Sequence, residues 1–194
     1  MKNLYIVRHC KAEGQEPDAR LTESGMRQAE MLAAFLIGQE IDYIVSSPYE
    51  RACRTIAPLA EQIGMEVVLD DRLSERVLSS GSDPDWRDRL RHTFDDLDIC
   101  YEGGESSRAA MSRAIRVVLE ALERDKQNIV LVSHGNLIAL LLKHFDDRIG
   151  FEEWEALSNP DVFHLAFPTE AQPTIQRIWT DGSEQIPRRD IELF

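Results

Sequence analysis

The chain has 194 residues, 43% of them hydrophobic and 29% charged, and carries a formal net charge of -13 at pH 7. That length supports one well-buried core and argues against two full domains, so a single domain over residues 1–194 is expected, and the composition excludes disordered and fibrous classes. The acidic balance excludes nucleic acid or an anionic membrane as the main partner, because a polyanion would meet repulsion over most of the surface; a small anion among clustered arginines is not excluded, since distant charges are screened beyond about 8 Å at physiological salt.

In chain order, the first element is Leu4-Tyr5-Ile6-Val7, a β-type run that ends on Arg8 and His9. A polar loop from Cys10 to Arg20 follows, and then Thr22-Glu23-Ser24-Gly25, a helix start with Thr22 as the cap. Ala29, Leu32, Ala33 and Leu36 continue at helical spacing until Gly38, which is expected to end the helix. A second strand, Ile41 to Val45, runs into Ser46-Ser47-Pro48, and a helix with Ala52, Ile56, Leu59, Ala60 and Ile63 on its apolar face stops at Gly64. A third strand, Glu66 to Leu69, leads to Asp70-Asp71-Arg72-Leu73-Ser74-Glu75-Arg76.

From Val77 to Glu102 the pattern weakens: a loop, Ser79 to Pro84, and a helix to about Asp95. Insertions of this kind often carry binding function. A long helix begins after Gly103-Gly104-Glu105-Ser106, then Asn128 to Val132 forms a continuous apolar strand that ends on Ser133-His134-Gly135-Asn136 before a buried helix, Leu137 to Phe145. Past Asn159-Pro160, the segments Val162 to Phe167 and Thr174 to Trp179 read as an antiparallel hairpin at a sheet edge, and the polar tail from Thr180 as loosely held. Alternating strands and helices thus predict a three-layer α/β/α fold with a mainly parallel central sheet.

Three cysteines, Cys10, Cys53 and Cys100, are an odd number without the density of a disulfide scaffold. There is no signal-peptide apolar segment, no lipidation motif, and no apolar run, Leu137 to Leu142 included, that approaches the roughly 18 residues of a membrane span. A cytoplasmic protein is expected.

In an open α/β sheet the C-terminal strand ends share one edge, so Arg8-His9, Ser46-Ser47, Arg72 to Arg76 and Ser133-His134 can converge there. Phosphoryl transfer needs cations on the equatorial oxygens and a nucleophile in line with the leaving group. Arg8 and Arg51 suit the first role through bidentate guanidinium bonds, and the imidazole of His9 suits the second. His134, at a helix start that itself favours anions, can add a hydrogen bond, and Glu75 can act as general acid. Thr22 is counted as a substrate-binding candidate as well as a cap. Taken singly, each residue has a structural explanation; their joint appearance at strand ends is what carries the argument.

Val7-Arg8-His9, Leu21-Thr22-Glu23-Ser24-Gly25 with Gln28-Ala29, Ser46-Ser47-Pro48 with Arg51-Ala52 and Thr55, Arg72-Leu73-Ser74-Glu75, Gly104-Glu105-Ser106 and Val132-Ser133-His134-Gly135 together resemble the histidine phosphatase superfamily, the phosphoglycerate mutase-like fold. The resemblance spans residues 4 to 145 and keeps motif order. It implies that His9 is phosphorylated, that Arg8, Arg51 and His134 line the phosphate pocket, that Glu75 is the acid, and that no metal or organic cofactor is needed. The implied partners are a small phosphorylated substrate and inorganic phosphate as product; oligomeric state is not legible.

The chain departs from the family in having Cys10 where many members carry Gly or Ala, and a small buried side chain is the expectation for it. It also lacks room for the insertions and tail that cofactor-dependent mutases use, which favours hydrolysis over a phosphoglycerate mutase-type transfer. A non-catalytic phospholigand-binding module is the remaining alternative. Other chemistries fail on spacing: Glu16, Leu59 and Ser106 stand where a cysteine phosphatase needs arginine, no apolar strand precedes Asp96 and Asp98, and His92, His144 and His164 lack zinc spacing.

Overall fold

The computed structural model describes residues 1–81, 84–168 and 172–180. One six-stranded sheet organises them: β1 (Lys2–Arg8), β2 (Tyr43–Ser46), β3 (Val68–Leu69), β4 (Asn128–Ser133), β5 (Asp161–Phe167) and β6 (Thr174–Arg177), in the order β3-β2-β4-β1-β5-β6. The first four of these in space are parallel, and β5 is antiparallel to both β1 and β6. The expected mainly parallel sheet with an antiparallel edge hairpin is therefore the observed one.

Side-chain alternation along the central strands explains the layers. Leu4 and Ile6 of β1 and Ile129 and Leu131 of β4 share one core with α3 (Trp86–Asp95), α4 (Ser107–Glu123) and α5 (Gly135–Phe145). Tyr5, Val7, Val130 and Val132 share the other with α1 (Glu23–Leu36) and α2 (Glu50–Ile63). These strand positions are almost wholly buried, and each such aliphatic side chain contributes about 1.5–3 kcal/mol relative to exposure. Two cores against one sheet hold its C-terminal edge rigid.

Several boundaries differ from the sequence expectation. The first helix ends at Leu36, a 3-10 turn covers Ile37–Gln39, and the left-handed residue is Glu40 (φ 50) rather than Gly38. Gly64 does stop α2, at φ 64, where a side chain would be strained. The third strand shrinks to two residues, because only Val68 and Leu69 reach register with Val45 and Ser46. A short helix, α6 (Phe151–Glu155), was not predicted; five residues are too few to show a helical period. Ser82, Asp83, the hairpin connection at Thr169-Glu170-Ala171 and the tail beyond Thr180 lie outside the described residues. Among those described, no helix is long and apolar enough to cross a membrane.

Candidate active site

The four parallel strands deliver their C-terminal ends side by side. Arg8 stands opposite Ser133 in the β1–β4 register, the His9 amide donates to the Ser133 carbonyl (3.1 Å), and the Ser47 amide donates to the Val132 carbonyl (2.9 Å). The Ser133 hydroxyl ties in the loop that carries Glu75 by donating to the Leu73 carbonyl (2.8 Å). His9, Arg51, Glu75 and His134 thus come to one edge from four separate segments.

His9 is 6% exposed, with Nδ1 2.7 Å from the Cys10 carbonyl and Nε2 3.2 Å from Arg51 Nε. A guanidinium only donates, so Nε2 must be the acceptor, and the ring proton sits on Nδ1, donated to Cys10. Burial pushes the His9 pKa down to about 3; the Cys10 hydrogen bond opposes this, while the positive charges of Arg51 and Arg8 add to it. The outcome is a neutral imidazole whose Nε2 lone pair faces an arginine. Arg51, 1% exposed, is fixed by NH1 donating to the carbonyls of Gln15 (3.0 Å) and Glu16 (2.8 Å), and its guanidinium carbon lies 4.9 Å from the Tyr49 ring centroid. The polar loop after His9 is therefore the seat of Arg51.

Arg8 reaches the same place from β1. Its NH1 donates to the Leu157 carbonyl (2.9 Å) and, more weakly, to that of Ser158 (3.3 Å), while its Nε is buried without a partner. Its guanidinium lies close on Gly135: a Cβ there would come within 3.0–3.1 Å of NH2, Cζ and Nε, so any larger residue would have to push the arginine back by a few tenths of an ångström. Burial lowers the pKa values of Arg8 and Arg51, and the nearby Glu75 carboxylate opposes this; both remain charged.

His134 is fully buried, its ring centroid 5.2 Å from that of His9 and 4.9 Å from that of Tyr49. Its Nε2 lies 2.8 Å from Ser47 Oγ, which also accepts from the Tyr49 amide (3.3 Å). The Ser47 hydroxyl can still donate to Nε2 or accept from it, and His134 Nδ1 is buried with no partner. Burial first, then the neighbouring His9 and the charges of Arg51 and Arg8, hold this ring neutral as well.

Glu75 occupies a position that the sequence does not disclose. Oε2 accepts from the Asn136 amide (3.0 Å), and Oε1 accepts from the amides of Leu137 (3.0 Å) and Arg76 (2.9 Å). The anion at the start of α5 is thus a side chain of this chain, drawn there by helix amides that have no intrahelical acceptor. Oε2 spends one lone pair on Asn136 and keeps its second for a proton.

Thr22 is not joined to this cluster by any contact among the described residues. Its Oγ1 accepts from the Gly25 amide (3.0 Å), as an N-cap should, and also contacts the Lys11 carbonyl and Ser24 Oγ. Cys10 is buried with Leu21 and Ala29 in a small core of its own, and burial pushes its thiol up to about 12. Among the described residues no group of three or more His, Cys, Asp and Glu side chains could hold a metal ion.

Sequence reasoning missed two supports. Ser47, inside the Ser46-Ser47-Pro48 motif, holds the ring of His134, and residues 157–159 cradle the end of β1, with Asn159 Nδ2 donating to the His9 carbonyl (2.7 Å) in addition to the bonds to Arg8. Only the first had a signal, in the motif.

The family model for the histidine phosphatase superfamily (branch 1) matches residues 4–178. A Hydrogenobacter thermophilus protein assigned as a phosphoserine phosphatase is 38% identical over 154 residues, 71% of this chain and 75% of its own. A Yersinia pestis protein assigned as the phosphoglycerate mutase GpmB is 31% identical over 162 residues, 73% of this chain and 74% of its own. The solved structure of a mycobacterial glucosyl-3-phosphoglycerate phosphatase in complex with inorganic phosphate superposes with a TM-score of 0.75 at 27% identity, over 92% of this chain and 96% of that one.

Proposed function

Because the chain belongs to the histidine phosphatase superfamily, we propose that it is a single-domain cytoplasmic phosphomonoesterase of small phosphorylated metabolites, working through a phosphohistidine on His9. The observation that carries this reading is the neutral His9 imidazole, its Nε2 lone pair facing Arg51, in a cluster that also holds the unpaired Nε of Arg8 and Nδ1 of His134. An incoming phosphoryl group satisfies all of them: phosphorus meets Nε2, and its equatorial oxygens take the donors of Arg51, Arg8 and His134.

Attack by Nε2 forms the N–P bond as the ester O–P bond breaks, and the departing alkoxide takes a proton from Glu75. Water then attacks the phosphohistidine, Glu75 recovers the proton, and inorganic phosphate leaves. Cytoplasmic placement draws support from the free state of all three thiols, Cys10, Cys53 and Cys100. The relative assigned as GpmB favours a second reading, in which the phosphoryl group returns to substrate rather than to water.

Rapid mixing with a labelled phosphomonoester should give an acid-labile phosphoenzyme that is lost in His9→Ala. Label that survives this change and follows another residue would overturn the assignment. Phosphate release from 3-phosphoglycerate, compared with its isomerisation, separates phosphatase from mutase, and no turnover of p-nitrophenyl phosphate at all would leave a binding module.

A further inference from the structure

Arg51 and Arg76 are the buried arginines among the described residues, at 1% and 6% exposure, and neither has a carboxylate of those residues within ion-pair reach. The phosphoryl pocket accounts for Arg51. It leaves Arg76 unexplained. Neighbouring arginines are neutralised, Arg113 by Glu105 at 2.8 Å and Arg72 by Asp70 and Glu120. A buried cation without a carboxylate lowers stability, and an apolar side chain of similar size would fill the same space more favourably, so packing alone does not explain an arginine here.

Arg76 reaches uncharged acceptors on three separate segments. Its Nε donates to the Glu105 carbonyl (3.0 Å), just before α4, and NH1 donates to Thr93 Oγ1 (2.8 Å), on α3, and, at the long limit, to Asn136 Oδ1 (3.5 Å), in the first turn of α5. Thr93 is set to accept, since its own proton goes to the Leu90 carbonyl (2.7 Å), and its carbonyl is held in turn by the Ser107 hydroxyl (2.7 Å). Because the guanidinium only donates, the Asn136 oxygen must be the atom turned to it. Arg76 NH2 and Asn136 Nδ2 stay buried without a partner, so the arrangement is kept for its geometry although two donors go unused.

Glu75 shows which geometry is at stake. Its three hydrogen bonds all come from main-chain amides, those of Arg76 (2.9 Å), Leu137 (3.0 Å) and Asn136 (3.0 Å). The carboxylate therefore sits wherever residue 76 and the first turn of α5 put it. Arg76 supplies one of those amides, and its guanidinium reaches the residue that supplies another. We propose that Arg76 is a positioning residue for the general acid: it fixes the Glu75 loop against α5 and, through Thr93, makes the placement of the acid depend on the seating of the 77–102 segment. The proposal rests on the phosphomonoesterase reading above, with Glu75 as its acid. A misplacement of about 1 Å can cost 10²-fold in rate, and the bonds of Arg76 lead to Glu75 rather than to His9, so its loss should impair protonation of the leaving group and spare attack on phosphorus.

Phenyl phosphate and p-nitrophenyl phosphate differ only by the nitro group, and phenolate, whose conjugate acid has a pKa of about 10, needs a proton far more than p-nitrophenolate does. In single-turnover phosphoenzyme formation, Arg76→Met should slow the phenyl ester about tenfold and the p-nitrophenyl ester by no more than about twofold. In a Glu75→Gln background the same substitution should add less than about twofold on the phenyl ester, since no acid remains to be positioned. Arg76→Lys, which keeps the charge without the planar fork, should restore part of the rate, and Thr93→Val, which keeps the shape and removes the acceptor, should reproduce the phenyl-specific loss on a smaller scale. Equal slowing of both esters, or a full tenfold loss in the Glu75→Gln background, overturns the proposal and leaves Arg76 a staple of the fold. If Arg76→Met does not fold by circular dichroism, Arg76→Lys and Thr93→Val decide, and an unchanged ratio of the two esters in both overturns it. A wild type that cleaves only the p-nitrophenyl ester has no acid to position, which overturns it as well, whereas one that cleaves neither ester overturns the phosphatase reading instead.

Discussion

The starts of α1 and α5 are the two helix N-termini nearest to each other in sequence logic and the furthest apart in construction. Helix α1 closes its own end: Thr22, the residue before it, accepts the Gly25 amide. Helix α5 has no such provision, since its preceding residue, His134, makes no capping bond, and its amides are met by Glu75, some 60 residues away in sequence. At the self-closed end the cap itself is local, with Thr22 only three residues from the amide it accepts. Around the other stand two neutral imidazoles, two buried arginines and four unpaired donors or acceptors. A helix end finished by its own neighbour is architecture, whereas one finished from a distance, with donors left over, is where chemistry has been assembled at a cost in stability.

The sharpest way to break this contrast is Glu75→Gln. An amide can accept on one side only, so it both loosens the start of α5 and removes the proposed proton donor. Single-turnover phosphoenzyme formation from an alkyl phosphate should slow by about 10²–10⁴, and far less from p-nitrophenyl phosphate, whose leaving group departs without protonation. Equal slowing of that step for both esters would take the acid role from Glu75 and pass it to Glu13 or Glu105.

Acid should attack the α5 end first. The unfolded chain protonates His9 near the ordinary histidine value of about 6.5, whereas the folded chain resists until about 3. Its contribution to stability is therefore intact above pH 6.5 and is lost as pH falls towards 3, reaching about 2 kcal/mol at pH 5, and His134 acts in the same direction. Urea midpoints at pH 7 and pH 5 should show the loss, and His9→Gln should make the slope shallower. An unchanged slope in that variant would mean that the imidazole is not held neutral in the fold.

Thr22→Ala is the smallest step, and it tests the self-closed end. It should cost about 1 kcal/mol in denaturant unfolding, with KM little changed. A large rise in KM at full folding would give Thr22 a substrate-binding role beyond the cap.

Much of this organisation was legible in the sequence, because strand ends carry it. Continuous apolar runs in Leu4 to Val7 and Ile129 to Val132 foretold a sheet covered on both faces, and Arg8-His9, Glu75 and His134 announced themselves by residue type after strands, with Arg51 in the helix that follows β2. What stayed hidden depends on backbone atoms. Arg8 is held by the carbonyls of Leu157 and Ser158, Arg51 by those of Gln15 and Glu16, and Glu75 by the amides of Asn136 and Leu137. Any residue supplies a carbonyl or an amide, so no letter in the sequence marks these partners. The seat of His134 is equally silent, its Nε2 being held by a serine 87 positions earlier.

The seat of Arg8 has a consequence for how the protein is born. Its carbonyl partners lie 149 and 150 positions downstream. A ribosome adding about 5–20 residues per second therefore releases the whole parallel half of the sheet, β1 to β4, seconds before the segment that anchors this arginine has left the exit tunnel. Nascent chains halted before that segment emerges would carry His9 but not its finished surroundings, and activity would switch on only once Leu157 and Ser158 lock onto the end of the first strand.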